Sequence, residues 1–252
     1  MPQLAVTSAP PPAPRVLASA RTCPGSPARD LRELCLVHGL AADGAALAEM
    51  AHARRRIKRG EFLYRAGDPF QSVFAIRSGF FTSRVVLENG RDQVTGFHMA
   101  GEMLGLDDVG VGAYTSDAVA LEYSEVYAIA NSRLDEPGMQ RRLTTAMSRT
   151  LARHRDMMLL LGSMRAAERL AAFLLDLSRR LHAGGMSPGE FHLRMTRAEI
   201  GSYLGLSLET VSRLFSRFQA DQLIAVRQRH VRLLDIAGLG AVGTGEARAI
   251  EA

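Results

Sequence analysis

The sequence is poor in cysteine, nearly devoid of lysine and free of long apolar runs. Two cysteines, Cys23 and Cys35, are too few for a disulfide scaffold and read as reduced thiols of a cytoplasmic protein. No apolar stretch reaches the roughly 18–20 residues of a membrane-spanning helix, so no membrane partner is expected. Residues 1–20 lack the basic start and apolar centre of a signal peptide. Among 31 basic residues the single lysine is Lys58, which we attribute mainly to codon bias. The formal charge of +5 is thus carried by guanidinium groups, which suit phosphate and guanine contacts. Catalytic groupings are missing too. The β-rich region offers His98 without a second histidine nearby, and no Ser/His/Asp set stands out, so neither a metal site nor an enzyme is expected.

What is present fits two domains within 252 residues. Residues 1–20 are proline-rich and expected to be a disordered tail. Helices are expected around Leu31–Val37 and Ala45–Arg55. From Ile57 to Ile129, β-favouring runs alternate with glycines: Glu61–Tyr64, Val73–Ile76, Phe80–Leu87, Gln93–His98, Ala118–Leu121 and Glu125–Ile129. This texture predicts an antiparallel sandwich, barrel or roll, with Asn89-Gly90 as a hairpin turn. After Pro137-Gly138 the pattern turns helical. Leu143, Met147, Thr150, His154, Met157 and Leu161 form one two-helix seam; Thr144, Met147, Leu151, His154, Met158 and Leu161 form another that fits as well. An identical chain is the simplest partner for such a seam, and packing on the chain's own β-domain is the alternative. A further helix is expected at Ala166–His182, ending at Gly184-Gly185.

Residues Met195–Phe218 carry the chemistry. Thr196 and Glu199 form a capping box, with Met195 and Ile200 placed as a hydrophobic staple. The helix they start is short and stops before Gly205. Ser207 caps a second helix, beginning through Thr210, whose apolar side is Val211, Leu214, Phe215 and Phe218. Short helix, glycine turn and amphipathic helix make a helix-turn-helix. The polar face presents Glu209, Ser212, Arg213, Ser216 and Arg217, which match the hydrogen-bonding edges of DNA bases and phosphates, and Thr196, Ser207, Thr210 and Arg229 are expected as further DNA contacts. Leu223–Val226 and the segment around Arg229 read as a two-stranded wing. From Met164 to Leu234 there are eleven arginines against six carboxylates, an excess of five, equal to that of the whole chain. The expected partner is therefore double-stranded DNA.

With these residues in view, the sequence resembles bacterial transcription regulators of the CRP/FNR family, and the FNR branch more than the cyclic-AMP branch. The resemblance runs from Leu31 to Ile236. It is carried by GDPFQSVFAIRSGFF, QVTGFHMAGEMLGLD, MLLLGSMRAAERLAAFLLDLSRRL and MTRAEIGSYLGLSLETVSRLFSRFQ. It implies an α+β chain: an N-terminal β-roll resembling a cyclic-nucleotide-binding jelly roll over 21–137, a dimerisation helix over 138–163, a C-terminal winged helix-turn-helix over 164–236, and a flexible tail over 237–252. It also implies a homodimer, contact with RNA polymerase through loops such as Glu88–Asp92, and a TTGAT-type inverted repeat read by Glu209, Ser212 and Arg213. Family oxygen sensors hold an iron–sulfur cluster on four thiolates. Here only Cys35 matches that set, Cys23 is out of register, and Tyr127 stands at the β-roll position, so no cofactor is expected. The alternative is an oxygen or redox sensor using a cluster or the Cys23 and Cys35 thiols. Gly101-Glu102 resembles the pair that meets ribose in the cyclic-AMP branch, but Thr115-Ser116 replaces the Arg-Ser that would hold the phosphate. Glu102 is therefore expected as a turn or surface carboxylate. His154 stands where FNR relatives carry an acid that opposes dimerisation, which implies dimers without a cluster.

Overall fold

A computed structural model describes residues 53–88 and 90–244. The expected tail at 1–20, the helix at 31–37, both cysteines and Asn89 lie outside the described residues.

Among the described residues, two four-stranded antiparallel sheets make the β-roll. One runs in the order β1 (Ala53–Ile57), β8 (Ser124–Ala130), β3 (Ser72–Ser78), β6 (Met103–Leu104). The other runs β2 (Phe62–Tyr64), β7 (Asp117–Ala120), β4 (Phe80–Val86), β5 (Asp92–Met99). The expected strands are present, with the β4–β5 turn closed by Gly90 at φ +76°. One expectation is corrected: Ala53–Arg55, assigned to a helix, begins strand β1. Its alternation places Arg54 and Arg56 on the carboxylate of Glu125, at 2.5 and 3.1 Å, with Arg77 also on that carboxylate. The acid that draws these arginines into a strand lies some seventy positions away, out of reach of local pattern.

The β-roll core holds Ile57, Val73, Ile76, Phe81, Val126 and Ile129, all essentially inaccessible to water. Successive side chains on a strand point to opposite faces. Phe81 therefore joins this inner core while its neighbour Phe80, with Val94, Phe97 and Met99 of β5, faces outward into a second core.

Helix α1 (Pro137–Ser163) starts with proline at its first turn, where a missing N–H costs nothing. It is followed by α2 (Ala166–Ala183), β9 (Glu190–His192), α3 (Arg197–Leu204), α4 (Leu208–Ala220), β10 (Ile224–Arg227) and β11 (His230–Leu233). The wing is three-stranded, in the order β10-β11-β9, where two strands were expected. A last helix, α5 (Ile236–Thr244), corrects the expectation of a flexible tail from residue 237. Asp235 caps it by accepting from the amide of Gly238 at 2.8 Å, and Leu239 is 0% exposed in the second core. Three glycines in that helix hide its signal, because Gly lowers helix propensity wherever packing does not override it.

Candidate nucleic-acid interface and interdomain junction

The helix-turn-helix forms from local chemistry. Thr196 Oγ1 accepts from the Glu199 amide at 3.2 Å, while the Glu199 carboxylate accepts from the Thr196 amide at 2.6 Å. Met195 and Ile200 are buried beside this cap. Gly205 ends α3 in the left-handed region at φ +64°, and a side chain at Gly201 would strike the Leu206 carbonyl at 2.5 Å. The turn therefore needs both glycines, one for conformation and one for clearance. Ser207 Oγ accepts from the Thr210 amide at 3.1 Å and opens α4. Val211, Phe215 and Phe218 bury one side of α4 completely, and the Arg197 guanidinium lies over the Phe215 ring at 5.2 Å.

That burial fixes which residues face outward. Glu209, Arg213 and Arg217 are exposed, and Ser212 is half-buried on the same face. Arg213 makes no ion pair among the described residues, whereas Arg217 leans toward Asp221 at 3.5 Å. Thr196, Ser207 and Thr210 are occupied by the two caps, and the Ser207 and Thr210 hydroxyls lie 2.9 Å apart. Arg229, in the wing turn, is half-buried and donates to the Arg194 carbonyl at 3.2 Å. The structure thus gives the expected residues unequal freedom.

Sequence counting overstates the charge available to DNA. Arg180 and Arg194 face the β-roll, where Glu102 and Glu122 neutralise them at 2.9 and 3.0 Å. Arg169, also unsuspected, donates to the carbonyls of Leu161 and Met164 at the end of α1 and of Leu204 at the end of α3, at 2.7 to 3.1 Å. A cation there complements two helix C-termini at once.

Helix α1 divides its seam in two. Leu143 is buried in the β-roll core, which corrects its place in the dimerisation set, while Met147 packs against that core and is half-buried. The seam opens beyond them: Leu151 and Met158 are 67% and 68% exposed, and His154 and Leu161 are exposed on the same side. Of the two seams, the one through Leu151 and Met158 is open, while Met157 is half-buried.

Glu102 lies in the turn where it was expected, but its carboxylate is not at the surface. Its side chain is 1% exposed and lies where β-roll, α1 and α2 meet. Arg153 Nη1 donates to Oε1 at 2.6 Å; Arg180 donates from Nε to Oε1 at 3.1 Å and from Nη2 to Oε2 at 2.9 Å. Burial alone would raise this carboxyl, but the two guanidinium groups outweigh it and hold the group at about 2. Beside it, burial pushes the His98 ring down to about 4 against the pull of Glu102, keeping it neutral at physiological pH. His98 Nε2 lies 3.0 Å from Ser83 Oγ.

These contacts test the fit of the groups the resemblance brings to mind. A cyclic nucleotide does not fit. The Glu102 carboxylate is already taken, and Thr115 Oγ1, at the phosphate position, donates at 2.6 Å to the fully buried Asp108. An entering phosphate would meet a carboxylate there. Nor does Tyr127, packed in the β-roll core, offer the thiolate a cubane cluster needs.

Residues 54–137 match the cyclic nucleotide-binding domain family, and residues 168–242 match the Crp-like helix-turn-helix domain family. The chain is 45% identical to the transcriptional regulatory protein btr of Bordetella pertussis, across 83% of this chain and 89% of that protein. It is 44% identical to the transcriptional activator protein anr of Pseudomonas aeruginosa, across 86% and 91%. It is 41% identical to the fumarate and nitrate reduction regulatory protein of Salmonella typhimurium, across 78% and 80%. Among solved structures it is similar to FixK2 from Bradyrhizobium japonicum, with TM-score 0.69 and 30% identity over 75% of this chain and 96% of that one.

Proposed function

Since the chain belongs to the CRP/FNR family of DNA-binding transcription regulators, which are not enzymes, we propose that it acts in the cytoplasm as a homodimer on a TTGAT-type inverted repeat, without an iron–sulfur cluster or cyclic nucleotide. The observation that carries this reading is the open part of the α1 seam, Leu151, Met158 and Leu161, exposed on the same chain as a recognition face with an unpaired Arg213. A second copy covers that seam and relates two α4 helices by a two-fold, placing them in successive major grooves roughly 34 Å apart. Arg213 reads guanine, Glu209 accepts from cytosine, and Ser212 contacts base or phosphate. His154, exposed in the seam, brings no negative charge to the interface and so favours dimers without a cluster. Two cysteines in the whole chain cannot supply a cubane cluster's four thiolates. The β4–β5 hairpin, with Val86 and Leu87 exposed beside Glu88–Asp92, is the proposed contact for RNA polymerase when the protein activates a promoter.

Sedimentation of aerobically purified, iron-free protein, joined to operator titration at near-physiological salt, tests the reading. A dimer should form and prefer the inverted repeat over scrambled duplex, and Arg213→Ala should lose about 1–3 kcal/mol and blur discrimination at one base pair. A monomer without operator preference defeats it. Four irons per chain with an iron–sulfur absorption band, in anaerobically purified protein, would replace it by the oxygen-sensing alternative.

A further inference from the structure

Helices α1 and α2 are joined by only Met164 and Arg165, and Met164 is extended at φ −97°, ψ 149°. Two residues of open backbone leave the direction of the winged helix-turn-helix to be set by side contacts. Rings supply some of them: Phe97 lies 5.1 Å from Tyr203 and 6.0 Å from Phe173. Such contacts hold surfaces together but tolerate sliding, because apolar attraction has little direction. Glu102 differs. Its backbone is fixed in the turn after β5, donating to the Met99 carbonyl at 3.0 Å and accepting from the Ile76 amide at 2.9 Å. Its carboxylate also accepts from the Met99 amide at 3.3 Å. Onto this anchored anion converge Arg153 from the middle of α1 and Arg180 from the far end of α2, and Arg180 donates as well to the Phe97 carbonyl. Charge-assisted bonds at both oxygens define an angle as well as a distance.

We infer that Glu102 is a positioning residue for operator binding: by gripping Arg153 and Arg180 together, it fixes the angle between the long helix and the winged module. The inference rests on the homodimer reading. In a two-fold dimer the seam along α1 sets the axis, and the Glu102 junction sets how far each recognition helix stands from it. A rigid junction lets the dimer distinguish correctly spaced half-sites from half-sites one or two base pairs too near or too far. The carboxylate that would meet a ribose in the cyclic-AMP branch is thereby bound internally, and the angle is held by the chain's own guanidinium groups.

The test uses the full chain and duplexes carrying one half-site, the matched inverted repeat, or repeats with the centre separation altered by one and two base pairs, all at one salt concentration. Wild type should lose about tenfold or more in affinity on each shifted repeat. Glu102→Gln should bind the matched repeat about tenfold more weakly, respond to spacing by less than about threefold, and bind the single half-site as wild type does. Because that substitution strands two cations and could weaken the fold, the neutral triple variant Glu102→Gln, Arg153→Met, Arg180→Met is measured beside it. With no charge left unpaired it should recover the thermal midpoint yet keep the flat spacing profile. A triple variant with the wild-type spacing profile overturns the inference. So does an equal loss on the single half-site, which would place Glu102 in the module's own folding. A wild type that prefers no inverted repeat at any spacing fails at the earlier step and removes the homodimer reading itself.

Discussion

The recognition face and the domain junction are made from the same residue types and do opposite things. On α4, Glu209 and Arg213, four residues apart, stand exposed on the face opposite the buried Val211 and Phe215. At the junction, Glu102 and Arg180 are buried and satisfied by each other. A solvated ion gains little from a protein partner and stays available to an incoming one, whereas a buried ion must be paired within the fold. An arginine of this module is therefore open to an incoming partner or a structural rivet according to the face it falls on.

That contrast can be broken by substitution. The largest effect is expected from Glu102→Ala, which leaves the buried Arg180 with only the half-exposed Asp176, at 3.4 Å, as a counter-charge and should cost about 3–5 kcal/mol in urea unfolding. A loss below about 1 kcal/mol would mean that water replaces the carboxylate and that the junction is no better held than the surface. Leu239→Ala should cost about 2–4 kcal/mol, since the side chain lies wholly inside the second core; a true tail residue would give a change within about 0.5 kcal/mol.

A third measurement probes the junction by pH. His98 titrates at about 4 in the folded chain, against an ordinary value near 6.5 when unfolded. The unfolded chain therefore binds the extra proton first, and stability falls as pH drops from about 6.5 toward 4, by about 1–3 kcal/mol. Glu102, depressed to about 2, keeps its contribution throughout that window and loses it only below the ordinary carboxylate range. His98→Gln should flatten thermal midpoint against pH between 6.5 and 4; an unchanged slope would assign the effect to other groups. Ser207→Ala should cost about 1 kcal/mol by removing the α4 cap. Arg213→Ala should change stability by less than about 0.5 kcal/mol while weakening operator binding, the reverse of the pattern for Leu239→Ala.

The legibility of the sequence follows the same divide. The caps at Thr196 and Ser207, the glycine turn and the outward face of α4 were readable because every partner lies within four residues. The split role of α1 was not. Leu143 and Leu151 share one heptad pattern, and only the position of the β-roll decides that the first is covered and the second open. Strand β1 escaped notice because arginines are poor indicators of a strand until Glu125 is placed beside them. Helix α5 escaped because its glycines mask a single buried leucine. Glu102 was misjudged because its guanidinium partners sit 51 and 78 residues away.

Residue order by itself determined the local units: β-rich first half, long helix, capped helix-turn-helix and wing, each specified by periodicities and hydrogen bonds that close over a few positions. Tertiary structure alone decided how the units share their surfaces. It sent Phe80 and Phe81 into different cores, divided the arginines between solvent-facing and roll-facing sides, and placed one glutamate where the modules join. The physical reason is that desolvation belongs to a place in space, and the neighbours that satisfy a buried charge are chosen by the fold.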